Sequence, residues 1–171
     1  MLTEQESEML GILLGDGTLS RVGGSVQITI TGSKLDDEEY LPNHVRPLFQ
    51  GLFKIDLKTR YRQKENTMDL YAYSKKVALQ INEWGMPIGL KNVGKLKPNH
   101  PLDEKSFIRG MFDTDGCVYR KYGKYVQIQF KSASPSLMEY LKRTWKNLVS
   151  TQPQYKKTTR DSKSTFADKM R

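Results

Sequence analysis

MLGILLGDG at residues 9–17 and IRGMFDTDG at residues 108–116 are two copies of one pattern, spaced 99 positions apart. Each copy is an apolar, helix-like run that ends in Asp-Gly and carries small residues four positions apart. Residues four apart lie on the same face of a helix, and small residues there let two helix backbones approach closely. We therefore predict that the two helices pack against each other through Gly11, Gly15, Gly110 and Thr114.

The two copies also place an acid at the same point, because Asp16 and Asp115 each precede the final glycine. Packed side by side, the helices would hold both carboxylates together, where they repel each other. A divalent cation would offset that repulsion, since hard cations prefer oxygen ligands. The pattern thus predicts a metal site at the carboxyl ends of the two helices.

The doubled pattern resembles the LAGLIDADG family of homing endonucleases, in the version in which one chain carries two repeats. The family's metal-binding acid falls on Asp16 and Asp115, and its small packing positions fall on the four residues named above. The first copy departs from the motif at Leu14, where the family has an acid, whereas the second copy keeps Asp113. We interpret Asp113 as a cap or interface group. The alternative is a pair of ordinary core helices that end in Asp-Gly turns.

The resemblance implies an α+β fold of two pseudo-symmetric αββαββα repeats, with the motif helices packed at the centre and antiparallel sheets forming a DNA-binding saddle. The first repeat is predicted at residues 1–85, the linker at 86–101 and the second repeat at 102–171, without a closing helix. Thr3 and Glu6 form a capping-box pattern before the first motif helix. The other elements predicted for the first repeat are strands Thr18–Val22 and Val26–Thr31, an irregular helix Leu35–Phe53 opened by Ser33, strands Asp56–Arg62 and Met68–Ser74, and helix Lys75–Trp84.

The second repeat is predicted to follow the same order of elements. Ser134 is the expected cap of its second helix. The predicted elements are helix Asp103–Thr114, strands Cys117–Lys121 and Lys124–Lys131, helix Pro135–Val149, and a last hairpin of Gln154–Arg160 and Thr165–Met170.

Composition limits the classes of function. The chain of 171 residues is long enough for one ordinary domain or two small fused halves. No apolar run approaches the roughly 18 residues that cross a membrane, and Cys117 is the only cysteine, so we expect an intracellular protein that does not act at a membrane. The net charge is +9, and residues 117–171 hold thirteen Lys and Arg against three Asp and Glu. Such basic stretches favour nucleic acid as the partner.

The predicted strands alternate apolar with polar side chains, so each sheet should have one polar face. We expect these faces to lie in the major groove of double-stranded DNA, where base edges distinguish all four base pairs. Glutamines suit adenine edges, and lysines and arginines suit guanine edges or phosphates. The predicted DNA-binding residues are Gln27, Thr29, Thr31, Lys58, Arg60, Arg62, Arg120, Gln127, Gln129 and Lys131.

Candidates for a neutral-pH base are scarce, because the chain has only His44 and His100. Bound metal ions lower the pKa of water and neutralise charge on the reacting oxygens. The resemblance implies Mg²⁺, as two or more ions held by Asp16 and Asp115, with the carbonyls of Gly15 and Thr114 as further ligands. It also implies basic groups around the site. Lys91, Lys131 and Arg120 are the candidates, and the predicted catalytic set is Asp16, Asp115, Lys91 and Lys131.

The function implied is a site-specific endonuclease that breaks both DNA strands, leaves short 3′ overhangs and acts in intron homing as a monomer. Its site would be roughly 14–22 base pairs long, about two turns of duplex. Two alternatives stay open, an intron RNA maturase and a DNA-binding protein that does not cleave. Nucleases with clustered catalytic histidines are disfavoured, because the two histidines are far apart in the sequence. A zinc site is disfavoured too, because one Cys and two separated His do not supply its ligands.

Overall fold

The two helices that carry the doubled pattern both end at Asp-Gly. The computed structural model describes residues 1–91, 96–123 and 125–150, and in it α1 is Glu4–Asp16 and α4 is Glu104–Asp115. The capping box of Thr3 and Glu6 opens α1, as predicted, and the Asp103 carboxylate accepts the Ser106 N–H at 2.8 Å to open α4. Both helices end because the next residue is extended and begins a strand.

The first sheet has four antiparallel strands in the order β1-β2-β4-β3. They are β1 Gly17–Val22, β2 Ser25–Gly32, β3 Lys58–Tyr61 and β4 Met68–Tyr73. In the described residues, a second antiparallel sheet pairs β5, Gly116–Lys121, with β6, Tyr125–Phe130. Two more helices are α3, Lys75–Trp84, and α5, Pro135–Ser150. The fold is mixed α+β with antiparallel sheets, as predicted, and the hairpin expected at 154–170 lies outside the described residues.

The long helix predicted from Leu35 to Phe53 is wrong in its first half. The chain makes turns after Ser33, then a π-helical segment at Leu41–Val45, and only then α2 at Arg46–Phe53. The cause is proline. Pro42 and Pro47 have no N–H to donate to the carbonyl four residues earlier, so a regular α-helix cannot run through them. The wider turn instead bonds the Arg46 N–H to the Leu41 carbonyl.

The apolar face of the first sheet packs onto α1 and forms the centre of the core. Leu19, Ile28, Ile30 and Leu70 lie on this face and are fully buried. The opposite face carries the polar positions of β2, β3 and β4. Because β1 follows α1 without a loop, the carboxyl end of α1 lies at the edge of this sheet. In the described part of the chain, no helix is long and apolar enough to cross a membrane.

Candidate metal centre and nucleic-acid interface

The four small residues of the doubled pattern lie where α1 and α4 touch. A Cβ atom added to Gly11 would lie 2.6 Å from the Phe107 carbonyl oxygen, and one on Gly110 would overlap the Glu8 carbonyl oxygen. A Cβ atom on Gly15 would overlap the Thr114 side chain, whose hydroxyl donates to the carbonyls of Gly110 and Met111. The two backbones are therefore in direct contact along this face.

This contact brings Asp16 and Asp115 to one place at the ends of the helices. Burial raises the pKa of Asp16 to about 6, and the charges of Asp115 and Asp37 add to the shift while Lys91 opposes it. Burial also raises the pKa of Asp115, and Lys91 again opposes the change. Lys91 offsets only part of the negative charge of these two partly buried carboxylates, so a bound cation would be stabilised beside them.

Lys91 reaches the two acids from the segment that follows α3. Ile88 forms a parallel bridge with Leu19 of β1, and the Gly89 N–H donates to the Leu19 carbonyl at 2.6 Å. The Lys91 ammonium then donates to the carbonyls of Leu14 at 2.9 Å and Gly15 at 2.7 Å. Burial lowers the pKa of Lys91, and the carboxylates of Asp115 and Asp16 oppose that shift.

The donors at this point suit a hard divalent cation. Asp16 and Asp115 supply carboxylates, and the helix ends supply main-chain carbonyls, so the set contains oxygen alone. No cluster of three or more His, Cys, Asp or Glu side chains suited to a metal occurs in the described ranges. A cation here would complete its coordination shell with water or phosphate oxygens. Mg²⁺ commonly binds in this way, whereas structural zinc is bound by protein ligands alone.

Lys131 and Arg120 take different positions in the second sheet. The Lys131 N–H donates to the Asp115 carbonyl at 3.1 Å, so this exposed lysine lies beside the second acid. Arg120 pairs across the hairpin with Val126 and shares the face of Ile128 and Phe130. The expectation that Arg120 lies on the same face as the glutamines is wrong, because the register puts it on the opposite side.

Gln127 and Gln129 lie on the polar face of the second sheet with two partners from β5. The Tyr119 hydroxyl donates to Gln127 Oε1 at 2.7 Å, and the exposed Cys117 thiol lies 3.9 Å from Gln129 Oε1. Both glutamine side chains are half-buried.

Comparison with known proteins finds one family model that matches part of the chain. Residues 103–168 match the family model described as a LAGLIDADG-like domain. The second motif helix and the residues after it are therefore similar to a LAGLIDADG-like domain. No curated protein sequence is significantly similar to the chain.

Solved structures of LAGLIDADG homing endonucleases share the fold. A structure of mesophilic variants of the homing endonuclease I-DmoI is 21% identical with a TM-score of 0.59, over 85% of this chain and 73% of that one. I-DmoI in complex with DNA and Ca is 21% identical with a TM-score of 0.59, over 85% of this chain and 72% of that one. An I-DmoI variant in complex with its nicked target DNA in the presence of Mn is 19% identical with a TM-score of 0.59. That match covers 85% of this chain and 77% of the other.

The first sheet of this LAGLIDADG fold carries most of the predicted DNA-binding residues on its polar face, in unequal settings. Lys58 is exposed, and the Gln27 amide donates to the Tyr73 hydroxyl at 3.0 Å. Thr29, which lies between Thr18 of β1 and Tyr71 of β4, is only 7% exposed. The expectation that Thr29 is free to contact DNA is therefore wrong.

A buried acid on the same face was missed from the sequence. Asp69 has no exposed surface and accepts hydrogen bonds from Arg60, Arg62 and Thr31. Burial alone would raise the pKa of Asp69, but the hydrogen bonds from Arg62, Arg60 and Thr31 outweigh it and hold the pKa below its usual range. The signal in the sequence is an acid between apolar neighbours, Met68 and Leu70, opposite a strand with two arginines.

A second group of polar residues lies beside α1 and α4, away from the paired acids. The Glu8 carboxylate of α1 bonds to Arg109 of α4 and lies 2.7 Å from His44 Nε2. Asp113 accepts from the Tyr40 hydroxyl at 3.2 Å, so it contacts the residue before the π-helical segment rather than Asp16.

Proposed function

We propose that this chain is a site-specific, metal-dependent endodeoxyribonuclease that breaks both strands of a long DNA target and acts in intron homing. The observation that carries the proposal is the meeting of Asp16 and Asp115 at the packed ends of α1 and α4. Holding two partly buried carboxylates together costs free energy in the metal-free chain, and a divalent cation bound to both offsets that cost.

Asp16 and Asp115 would hold the cation, with the Thr114 carbonyl as a further donor, because the Gly15 carbonyl already accepts from the Lys91 ammonium at 2.7 Å. Bound Mg²⁺ lowers the pKa of a coordinated water and neutralises charge on the scissile phosphate. The relatives support this use of metal, because I-DmoI is seen in complex with DNA and Ca and in complex with DNA and Mn. Each acid would serve one DNA strand, which is the reason for having two.

Two lysines would assist at these acids. Two of the three N–H groups of the Lys91 ammonium are bonded to the Leu14 and Gly15 carbonyls, which fixes its position and leaves one N–H for a phosphate oxygen or the attacking water. Lys131 lies beside Asp115 and is exposed, so its ammonium can reach the second phosphate. Their charges would stabilise the negative charge that develops in the reaction.

The partner proposed is double-stranded DNA, bound by one chain acting as a monomer. Support comes from the net charge of +9, from the polar face of the first sheet and from the DNA complexes of I-DmoI. The candidate contacts are Gln27, Thr31, Lys58, Arg60, Gln127, Gln129 and Lys131, with Arg62 held beside Arg60.

The test is cleavage of a randomised plasmid library, or of the uninterrupted insertion locus, by the purified chain in Mg²⁺ and in Ca²⁺. Asp16→Asn and Asp115→Asn are each expected to lower double-strand cleavage by about 1,000-fold or more, equivalent to ~4 kcal/mol of transition-state stabilisation. Specific binding in Ca²⁺ should persist, because neither acid lies on the polar strand face.

The matched control is Asp113→Asn, which removes an acid from the same helix two residues away. It should cleave at close to the wild-type rate, because Asp113 contacts Tyr40 and not the paired acids. Full cleavage by the Asp16 variant would refute the assignment. Specific binding of DNA or intron RNA with no cleavage by the wild type would favour the non-cleaving or maturase function instead.

A further inference from the structure

Asp69 lies at the centre of a cross-strand cluster on the polar face of the first sheet. The register places Thr31 of β2 and Arg60 of β3 directly opposite it on either side. Thr31 Oγ1 donates to Asp69 Oδ1 at 2.8 Å. Arg62, just beyond β3, donates from Nε to Oδ2 at 3.1 Å and from Nη2 to Oδ1 at 3.0 Å.

The Arg60 guanidinium is held on one edge and open on the other. Nε donates to Asp69 Oδ2 at 3.1 Å and Nη2 donates to the same oxygen at 2.8 Å. The guanidinium carbon also lies 5.2 Å from the centroid of the Tyr71 ring. A guanidinium has five N–H donors, so three are left by these two bonds, and one each from Nη1 and Nη2 forms the terminal edge. The side chain is 48% exposed.

Arg62 has more of its guanidinium nitrogens paired within the cluster than Arg60 has. Its Nε and Nη2 bond to Asp69, and its Nη1 lies 3.6 Å from Glu65 Oε2. Arg62 thus neutralises and fixes the carboxylate, while Arg60 retains its free edge. The two arginines therefore have different parts in the cluster.

We propose that Asp69 is a positioning residue for DNA sequence recognition, which holds Arg60 so that its terminal edge reads a guanine in the major groove. This inference rests on the proposed function and adds to it the residue pair that sets base preference. Two parallel N–H groups match the O6 and N7 acceptors of guanine, a pairing that discriminates among bases when the fork is held in place.

The charge of the cluster argues for base reading rather than phosphate binding. A phosphate contact gains from positive charge, and a buried carboxylate reduces the charge of two arginines from +2 to +1. A base contact gains from fixed orientation, and the carboxylate supplies it. Lys58 is exposed on the same face two residues before Arg60, and it suits contact with a DNA phosphate instead.

The experiment is selection of bound sequences from a randomised duplex library by the full-length chain in Ca²⁺. Wild type is compared with Asp69→Asn, which keeps the shape but loses the charge, and with Arg60→Lys, which keeps the charge but loses the fork. Both variants are expected to lose preference for G by about tenfold or more at the same one or two base pairs. The double variant should lose no more than Arg60→Lys alone.

The matched control is Lys58→Gln. It should weaken binding to all sequences alike and reduce the slope of log affinity against log salt by about one, with base preferences unchanged. Thermal unfolding of every variant separates folding from recognition, because a merely structural role for Asp69 lowers stability without changing relative base preference. If Asp69→Asn does not fold, Thr31→Val, which removes one donor to Asp69, should give a smaller loss at the same base pairs that Arg60→Lys affects.

The outcomes are distinct. Unchanged base preferences in folded Asp69→Asn or in Thr31→Val overturn the positioning role and leave the nuclease proposal standing. Loss of preference in Asp69→Asn at positions other than those of Arg60→Lys also overturns it. A wild-type chain that selects no sequence overturns both proposals.

Discussion

The two motif helices, α1 and α4, share a sequence pattern but not an environment. Every residue of α1 from Ser7 to Leu14 is buried, whereas α4 leaves Arg109 and Asp113 exposed. The difference comes from their neighbours. The four-stranded sheet covers α1, while β5, which follows α4, is exposed over most of its length, and β6 is partly exposed. The pattern brings the two acids together, and the surroundings give each acid a different electrostatic setting.

The largest expected effect is at the contact between the helices. Gly110→Ala should destabilise the chain by about 3 kcal/mol or more, because the new methyl group overlaps the main-chain oxygen of Glu8, which cannot move aside without separating the helices. Gly15→Ala should also destabilise the chain, since the added methyl group overlaps the Thr114 hydroxyl and lies 2.7 Å from its Cβ atom, which side-chain rotation does not move. Urea unfolding measures both free energies.

Gly51→Ala is the control for this comparison. Gly51 lies in α2, and an added Cβ meets nothing within 4 Å, so alanine should stabilise the helix by up to ~1 kcal/mol. A Gly110→Ala protein as stable as wild type would show that the helices do not need their close contact.

The second effect tests a polar residue that α1 has and α4 lacks. Glu8 is buried with its side chain 3% exposed, and the position 99 residues later is the buried Phe107. Arg109→Ala should cost about 2 kcal/mol, because the Glu8 carboxylate then keeps only His44. Adding Glu8→Leu should restore most of that loss, since a buried charge is replaced by an apolar side chain.

Unfolding free energies of the two single variants and the double variant give the coupling. Glu8→Leu alone should be close to neutral. Equal losses from Arg109→Ala with and without the second change would mean that the pair contributes no stability.

The smallest effect distinguishes the two paired acids by pH. The pKa of Asp16 is about 6 in the folded chain and near 3.8 in the unfolded chain. The folded state therefore binds the extra proton, and its stabilising effect, full below pH ~4, is lost as pH rises through about 6. In EDTA, the free energy of unfolding should fall by about 1–2 kcal/mol across this window, after allowance for solvent screening.

Asp16→Asn should flatten this profile more than Asp115→Asn. Asp16 and Asp115 repel each other equally, and the charge of Asp37 further raises the pKa of Asp16. Urea unfolding at several pH values is the measurement. Equal profiles in the two variants would contradict the electrostatic difference between the helices. Saturating Mg²⁺ should remove the dependence in the wild type if the cation binds these acids.

Much of this fold follows from local sequence signals. The Asp-Gly ends, the capping box of Thr3 and the alternation of Val26, Ile28 and Ile30 are local, and the corresponding elements occur where the sequence predicts them. The predicted helix from Leu35 was wrong in its first half. Pro42 and Pro47 replace the α-helical hydrogen bonds of this segment with a π-helical turn, which helical periodicity does not reveal.

The parts of the site that the sequence did not reveal depend on partners distant along the chain. Asp69 is defined by strands that are neighbours only in the folded sheet, and the face of Arg120 is set by hairpin register. Resemblance suggested Lys91 as a basic group, but its bond to the Gly15 carbonyl depends on the bridge between Ile88 and Leu19. Side-chain alternation predicts the polar face but not which of its residues are already paired or covered.

Cys117 gives the chain a natural reporter position. It is the only cysteine in the sequence, it is exposed, and it lies two residues after Asp115 on the polar face of β5. A thiol-reactive fluorophore would therefore label the native protein at one known point beside the paired acids, with no cysteine to remove and none to introduce. Energy transfer from this point to a dye on a DNA duplex would follow the docking of the second sheet in real time.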